Sequence, residues 1–240
     1  MTHDARTART GADTRNTTKD APGAHDHSSA TASPPEVARV SAGTKIVFVD
    51  TTVEDWKTLA EGVRPDAEVV PVGPESDGMT VMAETLAGRT NVEAVHILGH
   101  GQSGAFQLGR ARVDGETLPL YSGQTALIRD SLAPEADLLL YGCETGAGQE
   151  GDAFIRALAE ATGADVAAST DLTGAAVSGG DWDLEIASGT IESRIALNAQ
   201  AQVSFSGVLA TSFAERTGAS NPFDGFSELN YSDSDNRHVM

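Results

Sequence analysis

Val92-Glu93-Ala94-Val95-His96-Ile97-Leu98-Gly99-His100-Gly101 and Ala136-Asp137-Leu138-Leu139-Leu140-Tyr141-Gly142-Cys143 are the two stretches that decide the fold. Each is a short apolar run that ends in a glycine-containing turn. Runs of this kind are strands buried on both faces of a sheet. One turn carries an imidazole, the other the chain's single thiol. Open α/β sheets place their chemistry there, outside the carboxyl ends of the strands. If the two strands are neighbours, the chain holds a cysteine–histidine dyad.

Working outward, the same pattern recurs. Lys45–Asp50 reads as a buried strand, Val53–Val63 as a helix with Trp56, Leu59, Ala60 and Val63 on one face, and Ala67–Val72 as a strand. Gly78–Ala87 reads as a helix before the His100 strand. Ala105–Val113 alternates around Gly109-Arg110 and predicts a hairpin. Leu118–Leu132 is helical and precedes the Cys143 strand, Asp137–Tyr141. Gly151–Thr162 is helical, and Asp165–Ala168 is a strand followed by Ser169-Thr170-Asp171. Trp182–Ile186 and Ile191–Ile195 read as strands or a hairpin, and Val203–Val208 as another strand. Strands and helices alternating at short spacing predict an α/β fold: a mostly parallel sheet of about six strands with right-handed crossovers and helices on both faces.

Residues 1–42 are a different material, rich in Thr, Ala, Ser, Asp, Gly and Pro with almost no large apolar residues. Such a segment buries too little surface to offset the entropy of ordering, so it reads as a disordered tail, and His25 and His27 within it as solvated. Residues 43–209 are the α/β domain and 210–240 a C-terminal tail. The net charge of the 240 residues is −19, and residues 1–36 hold four basic and five acidic side chains, so nearly all of it falls on the remainder. That surface repels nucleic acid and anionic membranes and attracts cations and basic peptides. One cysteine excludes an internal disulfide framework and any cysteine-rich metal site. No apolar run is long enough to span a membrane. The N-terminus lacks the apolar core of a signal peptide, which by itself favours the cytoplasm.

The candidate chemistry lies in four motifs. His100 between Gly99 and Gly101 suits a general acid or base, whereas His96, inside the strand, reads as a core residue. Cys143, at a strand end before Gly146 and Gly148, suits a nucleophile whose turn amides stabilise an oxyanion. Asp171 falls on the same predicted sheet edge, where a carboxylate can bind a basic side chain or cap a turn. Asp181 and Asp183 in Gly179-Gly180-Asp181-Trp182-Asp183 offer half of a calcium site or a tight turn, and Asp233-Ser234-Asp235-Asn236 is a partial calcium loop. There is no Gly-x-Ser-x-Gly elbow for a serine hydrolase.

Gly99-His100-Gly101 after one strand and Tyr141-Gly142-Cys143 after the next resemble the caspase, gingipain and clostripain-like cysteine peptidases. Residues 44–209 also resemble an uncharacterised bacterial domain found near the N-terminus of large secreted repeat adhesins. That likeness rests on Val47-Phe48-Val49-Asp50, Val95 to Gly101, Leu139 to Cys143, and Gly179-Gly180-Asp181-Trp182-Asp183-Leu184-Glu185. The stretch Glu215 to Gly225 resembles the opening of a calcium-binding repeat. The peptidase resemblance implies a three-layer caspase–hemoglobinase-like fold. It implies Cys143 as nucleophile, His100 as the proton donor to the leaving amine, the amides of Gly101 and Cys143 as the oxyanion hole, and Asp171 in a specificity pocket for Arg or Lys. It requires no metal or other cofactor, although the acidic tail leaves calcium open. The substrate would be a polypeptide or the chain's own parent protein, cut after arginines such as Arg39, Arg194 or Arg216. The location implied is extracellular or at the cell surface. The other expectation is a non-catalytic adhesin head with the same fold and a Cys143 buried away from His100.

Overall fold

The computed structural model describes residues 44–210. The expectations for the two tails, including His25, His27, Arg39, Arg216, the Glu215–Gly225 stretch and Asp233–Asn236, lie outside these residues. Five parallel strands form the body of one sheet: β1 (Thr44–Asp50), β2 (Ala67–Val72), β3 (Val92–Leu98), β7 (Leu132–Leu140) and β8 (Asp165–Ala168). A two-residue strand, β9 (Ile186–Ala187), closes one edge in the antiparallel sense, and the order across the sheet is β2-β1-β3-β7-β8-β9. The molecule is α/β with a mostly parallel six-stranded sheet, as the apolar runs predict.

Alternation along the strands divides the core in two. In β1, Ile46 and Phe48 face one cluster and Val47 and Val49 the other. The first face is covered by α2 (Gly78–Leu86), α3 (Ser122–Ser131) and α4 (Gly148–Thr162) through Met79, Met82, Leu86, Ile128, Phe154 and Leu158. The second is covered by α1 (Trp56–Glu61) and α5 (Ala199–Ser204), with Leu59, Ala201, Phe205 and Trp182. Helices therefore lie on both faces, which is what continuously apolar strands require. In α4 the buried positions Gly151, Phe154, Ile155, Leu158 and Thr162 recur at helical spacing, and Gly163 ends the helix at φ +73°.

A small antiparallel sheet sits beside the end of β3: β4 (His100–Gln102), β5 (Ala105–Leu108) and β6 (Ala111–Asp114), paired in that order. The expected hairpin is present, and His100 lies on a strand rather than in a free turn. Buried Asp50, at the end of β1, fastens this unit to the main sheet: Oδ2 accepts from Gly109 N–H at 2.9 Å and Oδ1 from Thr52 N–H at 2.8 Å.

Four readings are corrected. Residues 118–121 form a 3₁₀ turn before α3 rather than the first turn of one long helix. Ile191–Ile195 forms no strand, and of Trp182–Ile186 only Ile186 joins one. Val203–Val208 is not a strand either. Val203 belongs to α5, whose N-cap Asn198 accepts from Ala201 N–H at 2.9 Å, and the chain then runs extended to Ala210.

Candidate functional site

β3 and β7 are direct neighbours, with His96 opposite Leu139 and Ile97 opposite Leu140. Their carboxyl ends therefore deliver Gly99-His100-Gly101 and Gly142-Cys143 side by side. The approach is close enough to need glycine. A Cβ on Gly101 would stand 2.4 Å from the Gly142 carbonyl carbon and 2.6 Å from the Cys143 carbonyl oxygen. Buried Thr145 locks the two loops: its hydroxyl donates to Gly142 O at 3.0 Å and its own carbonyl accepts from Gly104 N–H at 3.1 Å. Glu144, just after the thiol, has φ +57°, an uncommon conformation for a side-chain-bearing residue; it turns the Glu144 N–H onto Asp171 O at 2.7 Å.

The amides of Gly101 and Cys143 converge on one oxygen. Both donate to the carbonyl of Leu209, at 3.0 and 3.1 Å. Leu209 arrives on the segment that leaves α5, and this segment is held on its other side by the residues after β8. Leu209 N–H donates to Thr173 O at 2.9 Å, and Ala175 N–H donates to Gly207 O at 2.8 Å, so the segment pairs antiparallel with Thr173–Ala175 across Gly174 and Val208. Next along the chain, His100 Nδ1–H donates to the Ala210 carbonyl at 3.0 Å. The thiol lies under the same segment. Cys143 is fully buried and forms no disulfide; its Sγ accepts from Thr173 N–H at 3.3 Å and faces Thr173 O at 3.6 Å. Burial pushes the thiol above its ordinary range; the main-chain hydrogen bonds of Thr173 and Leu209 pull the other way, and the Glu144 charge adds to the rise.

The Cys143 amide and the His100 imidazole thus hold consecutive carbonyls of one segment, those of Leu209 and Ala210, without a hydrogen bond between the two side chains among the described residues. Sequence reasoning named His100, Gly101 and Cys143 but missed Leu209, because a main-chain carbonyl has no sequence signature. The only available signal was an apolar residue closing the domain.

Asp171 is brought near by its backbone, through Glu144. Its carboxylate is exposed and groups with Asp181 and Glu185, whose ligand atoms all lie within 4.8 Å of one another. Partial desolvation and the like charges of Glu185 and Asp181 raise the Asp171 carboxyl. This acidic group is where the described residues would hold a cation or a basic side chain; Asp183 is not part of it. His96 is a core residue: its Nδ1 is hydrogen-bonded to the Tyr141 hydroxyl at 3.2 Å, and that hydroxyl accepts from Ala196 N–H at 3.1 Å. Burial lowers its pKa to about 4. No helix among the described residues is long and apolar enough to cross a membrane.

The sequence model of one family, described as a domain of unknown function (DUF4347), matches residues 46–209. No curated protein matches the chain.

Proposed function

We propose, for a chain that belongs to the DUF4347 family, that the domain is a cysteine peptidase of caspase-like architecture and chemistry. The observation that supports this most is the pair of amides, Gly101 N–H and Cys143 N–H, aimed at a single carbonyl oxygen. That arrangement stabilises the oxyanion of a tetrahedral intermediate, and one of its donors is the amide of the thiol-bearing residue itself. Cys143 is the nucleophile and His100 the group that protonates the departing amine. The peptide backbone is positioned by Thr173 and Ala175, which pair with an extended chain on both sides of Gly174. The reaction uses a thiol, an imidazole and main-chain donors. By the adhesin-domain likeness, the natural setting is a large surface or secreted protein.

A non-catalytic head with the same fold is the competing reading, and complete burial of Cys143 favours it. The two separate in one experiment. The full chain, with Cys143→Ala and His100→Ala variants, is assayed for hydrolysis of fluorogenic peptides and for cleavage of its own chain. The peptidase reading expects both activities to fall by at least about a hundredfold in each variant. Equal behaviour of all three proteins would leave the non-catalytic reading standing.

A further inference from the structure

We infer that the bond this site is built around is the chain's own Leu209–Ala210 peptide, so that the domain releases whatever follows it by cutting at its own C-terminal boundary. The inference rests on the peptidase reading and goes further by naming the substrate and the residue type before the cut.

Four observations carry it. Among the described residues, the carbonyl held by both amides is that of Leu209. The backbone on the amino side is already in substrate-like register, with Leu209 N–H on Thr173 O and Gly207 O on Ala175 N–H. The imidazole donates to the carbonyl of Ala210, the residue that would leave. Leu209 is fully buried in the cluster that holds Cys143, Tyr141, Trp182 and Phe205, whereas Ala210 is half-buried. The residue before the cut is therefore apolar. The acidic group around Asp171 sits at the surface and does not receive it, so the expected preference for Arg or Lys, and cuts after Arg39, Arg194 or Arg216, have no counterpart in what occupies the site.

The step balances within the chain plus one water. The Cys143 thiol gives its proton to His100, and the thiolate attacks the Leu209 carbonyl carbon. The resulting oxyanion is held by the Gly101 and Cys143 amides. The C–N bond to Ala210 breaks as the His100 imidazolium protonates the departing nitrogen, leaving a Leu209 thioester on Cys143. Water then attacks the thioester, freeing the Leu209 carboxylate and restoring the thiol.

The test uses the full 240-residue chain carrying a tag at each end, purified with calcium or with a chelator and analysed by intact mass and N-terminal sequencing. Alongside it run Cys143→Ala, Leu209→Asp and Ala210→Pro, the last a mild change at a half-buried position that leaves the Leu209 anchor in place. Support is a new N-terminus at Ala210 in the parent chain, at least about tenfold less of it in all three variants, and Cys143 in Leu209→Asp alkylated by a leucyl but not a lysyl chloromethyl ketone. A Cys143-dependent cut at another position overturns the Leu209–Ala210 assignment and leaves the peptidase reading intact. So does an uncut parent chain in which a leucyl ketone still labels Cys143. A cut at Ala210 that persists in Cys143→Ala overturns both, as does a chain that neither cuts itself nor takes up any peptidyl ketone.

Discussion

Cys143 and His96 are the two buried titratable groups whose environments matter most, and burial acts on them in opposite directions. The Cys143 thiol is pushed up because a thiolate would be left poorly solvated under Leu209. His96 is pushed down to about 4 because its charged form would be left in the core beside Tyr141. The unfolded chain has an ordinary histidine near 6.5, so between about 4 and 6.5 it binds a proton that the folded chain refuses. Stability is whole above that window, falls as pH drops through it, and is fully reduced below it, by about 3 kcal/mol from this residue. Urea unfolding at pH 7 and pH 4 measures it: a His96→Gln variant should lose about 3 kcal/mol less than the parent between the two. An equal pH dependence in the two would mean that His96 is solvated. His96 reads correctly from sequence as a core residue because it lies inside an apolar run. Leu209 does not read at all, since what distinguishes it is a carbonyl oxygen.

At the scale of elements, the parallel strands were legible for a physical reason: a strand covered on both faces has no polar positions to blur it. β2, β3 and β8 fall where the apolar runs lie, and β1 begins one residue earlier. β7 begins five residues before its reading because Pro134 and Glu135 interrupt the apolar run at its exposed start. β4 escaped notice because three residues centred on Gly101 carry no hydrophobic period, yet it sets the height of His100. The α5 segment misled because Val203 and Phe205 alternate like a strand, whereas an Asn198 cap and an Ala-Gln repeat make it helical. Phe205 then matters more than its helix. It packs edge-on against Trp182 at 5.8 Å, whose Nε1–H donates to Gln202 O, and from this anchor the chain runs to Leu209. Phe205→Ala should destabilise the domain by about 3 kcal/mol. In a His100→Ala background it should also speed iodoacetamide labelling of Cys143 under native conditions. Unchanged labelling would mean that Phe205 does not hold the segment down.

At the scale of the whole molecule, Cys143 and the Leu209 carbonyl meet only through contacts made by nearly every part of the domain. β3 and β7 must pair before Gly101 and Cys143 share an oxygen, the chain beyond β8 must fold back before Thr173 can grip the segment, and α5 must dock before Phe205 can aim it. Attack within one chain is unimolecular, and such prepositioned reactions proceed without any encounter step. Self-cleavage should therefore follow first-order kinetics with a half-time unchanged over about a hundredfold dilution, as measured by gel densitometry after refolding. A half-time that lengthens on dilution would mean that one molecule cuts another. On the proposed reading, the Leu209 carbonyl in its two-amide cradle makes the bond a completion signal: it would become cleavable only in a chain whose domain has been synthesised to its end and has closed, and each molecule would report this once.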